Sequence, residues 1–144
     1  MSDTVEKDLV QFLLDTAEIA ALVGAKVHYG FFPPENDDLP AIVISCLGGG
    51  DGFNTPEING GSSMLGTRFE IKCIADDFMQ AIDISKVVEL RCNGFNGELN
   101  GDGSTQATLQ LEDRADNPVP LSDGSGQYIP ARSVIISASF TIDV

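Results

Sequence analysis

Three stretches of strict alternation constrain the fold of this chain more than anything else in it. Leu65, Thr67, Phe69, Ile71 and Cys73 are interleaved with Arg68, Glu70 and Lys72. Thr105, Ala107, Leu109 and Leu111 are interleaved with Gln106, Thr108, Gln110 and Glu112. Near the C-terminus Val134, Ile136, Ala138, Phe140, Ile142 and Val144 are interleaved with Ser133, Ser137, Ser139, Thr141 and Asp143. Successive side chains of a β-strand leave opposite faces, so each stretch predicts a strand with one dry and one wet face. A fourth segment, 41–46, is apolar on both faces and reads as an interior strand covered on each side, by helices or by a neighbouring subunit. Pro40 precedes it, at the strand start where a missing N–H does least harm. Four such strands make a sheet, and its dry face needs a cover.

The helical patterns supply that cover. Val5, Leu9, Phe12 and Leu13 fall on one face at helical spacing, with Asp3 and Glu6 as a capping pair. The helix restarts at Asp15 or Thr16, with Glu18 positioned to help cap it. Ile19, Ala20, Leu22 and Val23 carry it to Gly24, a glycine suited to a left-handed C-terminal cap. Val27, His28 and Tyr29 form a short strand. Asp77 with Gln80 resembles a capping box that opens a helix over 78–92. There Phe78, Ala81, Ile82, Ile84, Val88 and Cys92 form a broad apolar face directed at the sheet. Met79, Val87 and Leu90 fall outside that face and are the candidate subunit interface. The expected fold is α+β: a mainly antiparallel sheet of four to five strands with helices packed on one face, in one domain spanning 1–144. A chain of this length buries roughly 68–70% of its unfolded surface, enough for a core without metal or disulfide staples.

Charge and cysteine usage narrow the function. Eight Lys plus Arg against 22 Asp plus Glu give a formal charge of -14, which repels nucleic-acid phosphates and anionic headgroups. Tight or sequence-specific nucleic-acid binding is not expected, and the same acidity serves as a solubility device. Cys46, Cys73 and Cys92 lie far apart with no C-x-x-C pair, and are read as buried free thiols rather than a zinc or redox site. The N-terminus lacks the basic start and apolar core of a signal peptide, and no apolar run approaches a membrane span. A reducing, soluble compartment is expected.

Each search for reaction chemistry ends on a named residue. Gly48-Gly49-Gly50-Asp51-Gly52 follows a strand but lacks the Lys-Ser/Thr ending of a phosphate loop, and Phe53-Asn54-Thr55-Pro56 is a poor helix start. Asn96, Glu98, Asn100 and Gly101 imitate a calcium loop, yet its twelfth place is Ala107 where a bidentate Glu belongs. His28 is the only histidine, so there is neither a His cluster nor a serine–histidine relay. Asp76-Asp77 is explained by capping, and Asp113-Arg114 by a surface ion pair or a pair of solvated charges. No catalytic, cofactor-binding or metal residues are expected, and the chain is not expected to be an enzyme. Three long glycine-rich segments remain, 47–63, 93–104 and 115–128, of a length that is usually either functional or mobile. Gly49, Asp51, Phe53, Asn54, Pro118, Val119 and Tyr128 are the candidate partner contacts in the first and last of them.

The order of elements, with Leu22-Val23-Gly24, Val27-His28-Tyr29, Leu39-Pro40-Ala41-Ile42-Val43, Arg68-Phe69-Glu70-Ile71 and the 78–92 helix, resembles the tail-terminator or tail-completion family of long-tailed bacteriophages. The correspondence in architecture spans essentially the whole chain. This chain departs from the family in its glycine-rich second and third loops and in its acidity. The resemblance implies a virion protein assembled in the host cytoplasm. It would form a ring, commonly a hexamer, that caps the tail tube at full length and then docks onto the head-tail connector. Its partners would be itself, the tail tube protein and the connector protein, with no cofactor and no membrane, and with DNA passing through the ring. A head-side completion protein is one alternative. A monomeric α+β protein-binding module using the same loops is the other.

Overall fold

In a computed structural model of the chain, residues 5–30, 39–48, 62–99, 105–120 and 126–143 are described. They form α1 (Val5–Leu14), α2 (Ala17–Val23), β1 (Val27–Tyr29), β2 (Ala41–Gly48), β3 (Ser62–Ile74) and α3 (Phe78–Cys92). Then follow β4 (Asn96–Glu98), β5 (Thr105–Asp116), β6 (Val119–Pro120), β7 (Tyr128–Ile129) and β8 (Ala131–Asp143). Six strands make the main sheet in the order β1-β2-β3-β8-β5-β4, one more than the upper sequence expectation. Only β1 and β2 run parallel; the other neighbours are antiparallel.

The last strand lies in the middle. β8 pairs with β3 from Ser62↔Asp143 to Ile74↔Ala131 and with β5 on its other side, so the sheet closes only when the C-terminal strand inserts. The three alternating segments are these three strands, and Phe69, Ile71, Cys73, Ala107, Leu109, Val134, Ile136 and Ala138 are buried as their alternation requires. The helices cover that face, α1 over β1 and α3 across β8, β3 and β5, with α2 between the two helices. Leu9, Phe12, Leu13, Ile19, Val23, Ile84 and Val88 complete the main core.

The break between α1 and α2 is held by Thr16. Its hydroxyl donates back to Phe12 O at 3.1 Å and makes no cap bond to the following turn. The capping expected of Asp15 and Glu18 is therefore not the local solution; Asp15 instead accepts from Gln11 Nε2 at 2.7 Å. Gly24 closes α2 with φ 65°, and its N–H donates to Ala20 O, which is the glycine stop the sequence predicts. Asp77 caps α3 by accepting from Gln80 N at 2.8 Å.

The opposite face of the sheet is dry at one end. Val43, Ile74, Ile129 and Ala131 form a second cluster there, joined by Leu39 and Val119, beneath the β6–β7 ladder. Strand β2 is thus covered on both faces within one chain. A bulge in β5 has a further consequence. Leu111 faces Ile136 but Asp113 faces Ile135, so Glu112 is an extra residue and the alternation inverts beyond it. Arg114 is thereby turned to the helical side, where it meets Glu89 of α3 at 2.7 Å.

Several expectations are corrected. The segments 93–104 and 115–128 are not simply loops: they hold β4, the end of β5, and β6 and β7. Phe78 is 40% exposed, because it begins α3 beyond the sheet it was expected to cover. Cys46 is exposed rather than buried, since it lies beyond Ile44, the last residue of β2 that β1 pairs with. Arg114 pairs with Glu89, while Asp113 accepts from the Arg114 backbone N–H at 2.8 Å.

Candidate interaction surfaces

The outer side of α3 carries two exposed apolar side chains. Met79 and Leu90 are 68% and 84% exposed. Their spacing of about three helical turns sets them on one stripe. Asp83 and Lys86 are exposed on the same stripe. Val87, offset from it, is half-buried and packs against the main core, so it belongs to the scaffold rather than to the exposed stripe. Beside Leu90 lies a groove of about 390 Å³ lined by Lys86, Glu89, Leu90, Asn93, Leu111 and Arg114. The Glu89–Arg114 pair stiffens its wall, and the hydrogen bond that Arg114 donates to Glu89 raises the guanidinium above its ordinary value. Asn93 Oδ1 accepts from Leu111 N at 3.1 Å, tying the end of α3 to β5.

A larger groove, about 690 Å³, opens at the other edge of the sheet between α1 and β1. Glu6, Lys7, Val10 and Gln11 form its helical wall and Tyr29 its strand wall. Val10 is packed on the core and gives the groove an apolar floor. Partial burial, with smaller contributions from Glu6 and Cys46, raises the Tyr29 phenol above its ordinary value, so it stays protonated and able to donate. Sequence reading did not find this groove, because its walls come from elements separated in the chain. The i, i+4 pairs Glu6/Val10 and Lys7/Gln11, one step off the buried stripe, are the only signal it leaves.

On the far face a smaller pocket of about 170 Å³ is lined by Gly30, Val43, Ser45, Glu70, Lys72, Ile74 and Val119. Glu70 Oε2 accepts from Ser133 Oγ at 2.7 Å and from Asn117 Nδ2 at 3.0 Å, a network that holds the strand following β5 onto the sheet. Of the pocket's polar lining, the Glu70 carboxylate is engaged in that network.

Of the loop candidates, Gly49, Asp51, Phe53 and Asn54 lie outside the described residues. Pro118 is exposed, Tyr128 is 62% exposed, and Val119 is half-buried in the second cluster, so the three are not equivalent. Pro120 and Tyr128 face each other across the β6–β7 ladder. Among the described residues no group of three His, Cys, Asp or Glu is arranged to hold a metal, and no helix is long and apolar enough to cross a membrane. What the surface offers is an apolar knob beside a small groove at one edge and an apolar-floored groove at the other.

No protein-family model matches the chain, and no curated protein matches its sequence. The fold is shared with solved structures. One is a chain from the virion of a native gene transfer agent particle, 17% identical, with a TM-score of 0.62 over 95% of this chain and 94% of that one. A second, for which no role is stated, is 9% identical with a TM-score of 0.51 over 95% and 96% of the two chains.

Proposed function

We propose that this chain is a non-enzymatic structural component of a phage-like virion. It forms a ring that caps the tail tube at full length and joins it to the head connector. The observation that carries this reading is the end-to-end correspondence of its fold with a chain of a gene transfer agent virion, covering 95% of one and 94% of the other. The correspondence therefore runs over nearly the whole of both chains. The order of elements that resembles the tail-terminator family supports the tail position. An exposed apolar knob on one edge and a groove on the other support self-assembly, and a charge of -14 per copy suits a lumen through which DNA slides without sticking.

The test is solution mass at high concentration, followed by electron microscopy of the protein mixed with tail tubes. Rings, and density at one end of the tubes, are the expected result. A stable monomer that leaves the tubes bare overturns the proposal and leaves a binding module as the alternative.

A further inference from the structure

We infer that copies of this chain join head to tail, with the Leu90 knob of one copy seated in the α1–β1 groove of the next. This rests on the ring reading above and specifies its contact. A closed ring built from one kind of subunit needs two different, mutually complementary patches on opposite flanks. The structure has such a pair. The α3 patch lies over β5 and the α1–β1 groove lies on edge strand β1. Four strand spacings separate β1 from β5, about 19 Å at ~4.8 Å each.

Shape favours this pairing over a twofold contact. Leu90, 84% exposed, projects, whereas the opposite groove is concave, with Val10 as its floor and a volume of about 690 Å³. Two α3 patches facing each other would oppose projection to projection. The groove carries both Glu6 and Lys7 on its helical wall, and Glu6 is the opposite charge it offers to Lys86. Cations are scarce in this chain, eight Lys and Arg in all, and Lys86 is exposed beside the knob. An exposed cation at that place suits a contact with a strongly acidic copy of the same chain. The outermost strands, β1 and β4, are three residues each, and the contact inferred here is made by helix side chains.

The experiment uses the full chain in two arms. In a Cys46→Ser background, Leu90→Cys and Gln11→Cys are made singly and together and treated with a short bis-maleimide. Head-to-tail contact gives covalent dimers when the two single variants are mixed. It gives a ladder up to the closed ring for the double variant, and no cross-linked product from either single variant alone. In the second arm Lys86→Glu weakens assembly about tenfold, as expected for a rim charge reversed against Glu6, and adding Glu6→Lys to the same chain restores it. Dimers from Leu90→Cys alone, or wild-type rings that neither arm perturbs, overturn the pairing while leaving the ring reading intact. A wild-type chain that stays monomeric overturns both.

Discussion

At the scale of single residues, Arg91 is the side chain on which the helical layer depends most. Its guanidinium lies 4.0 Å from the centroid of Phe12 and 5.2 Å from that of Phe95, and those rings meet edge to face at 4.5 Å. Its Nε donates to Thr16 Oγ1 at 2.9 Å, and Thr16 passes a hydrogen bond on to Phe12 O. One planar cation thus joins α1, the break before α2, α3 and the approach to β4. Cation–π contact contributes about 0.5–2 kcal/mol and the hydrogen bond about 1 kcal/mol. Arg91→Ala is therefore expected to lower unfolding free energy by about 2 kcal/mol in urea titration, and Arg91→Lys by somewhat less, since an ammonium keeps the charge but loses the plane. An unchanged midpoint for Arg91→Ala would refute that role. The buried thiols make a second prediction. Burial pushes Cys92 from 9.0 up to about 12, against a smaller opposing effect of Arg91, and raises Cys73 further. Below pH 9 both thiols are protonated whether the chain is folded or not, and their stabilising contribution is complete. As pH climbs from there toward 12 the unfolded chain ionises first and the contribution is lost, on the order of a few kcal/mol. Cys92→Ala, compared with wild type across that window, should show a shallower alkaline loss of stability. At neutral pH a maleimide should label native protein at Cys46 and spare Cys73 and Cys92.

At the scale of elements, α3 is anchored by its cap. Removing the Asp77 carboxylate from Gln80 N in Asp77→Ala should cost about 1 kcal/mol by thermal or chemical unfolding, with Asp77→Asn costing less; equal losses for both would show that charge rather than the cap bond matters. That cap was legible, as were the three long strands, β1 and β2, the divided first helix and the glycine stop at Gly24. Each depends on contacts a few residues apart or on a period of two. What was not legible depends on partners distant in sequence. Asn96–Glu98 has no alternation of its own and becomes β4 because β5 lies beside it. Val119 and Tyr128 read as loop because a two-residue ladder leaves no periodic trace, and only the apolar patch at Val43, Ile74 and Ala131 gives the ribbon a place to rest. The Glu112 bulge defeats alternation outright: Arg114 reads as a neighbour of Asp113 but is turned to Glu89. At the candidate surfaces Met79 and Leu90 were found from periodicity, Val87 was placed with them because a helical wheel does not show which neighbours pack beside it, and the α1–β1 groove left almost no mark.

At the scale of the whole molecule, charge sets the conditions under which copies can meet. Six copies at -14 each would gather -84 formal charges in one ring, and only short-range contacts such as Leu90 in its groove oppose that repulsion. A folded chain of this length has a radius of gyration of roughly 15 Å. At 0.01 M ionic strength the screening length is about 30 Å, so each subunit feels the full charge of its neighbours; at 0.15 M it is about 8 Å, and only groups at the contact interact. Added salt screens two opposing effects, the attraction of Lys86 for Glu6 and the repulsion between subunits. The first is one pair at short range, the second many charges at long range, so the second falls more. Assembly is therefore expected to strengthen between 0.01 and 0.15 M salt, with the concentration at half-assembly dropping about tenfold or more, measured by sedimentation or mass photometry. Above that range the apolar contact should dominate and the dependence should flatten, and Leu90→Asp should weaken assembly at every salt concentration. Half-assembly that is insensitive to salt, or that rises with it, would show that ion pairs at the contact outweigh the net charge.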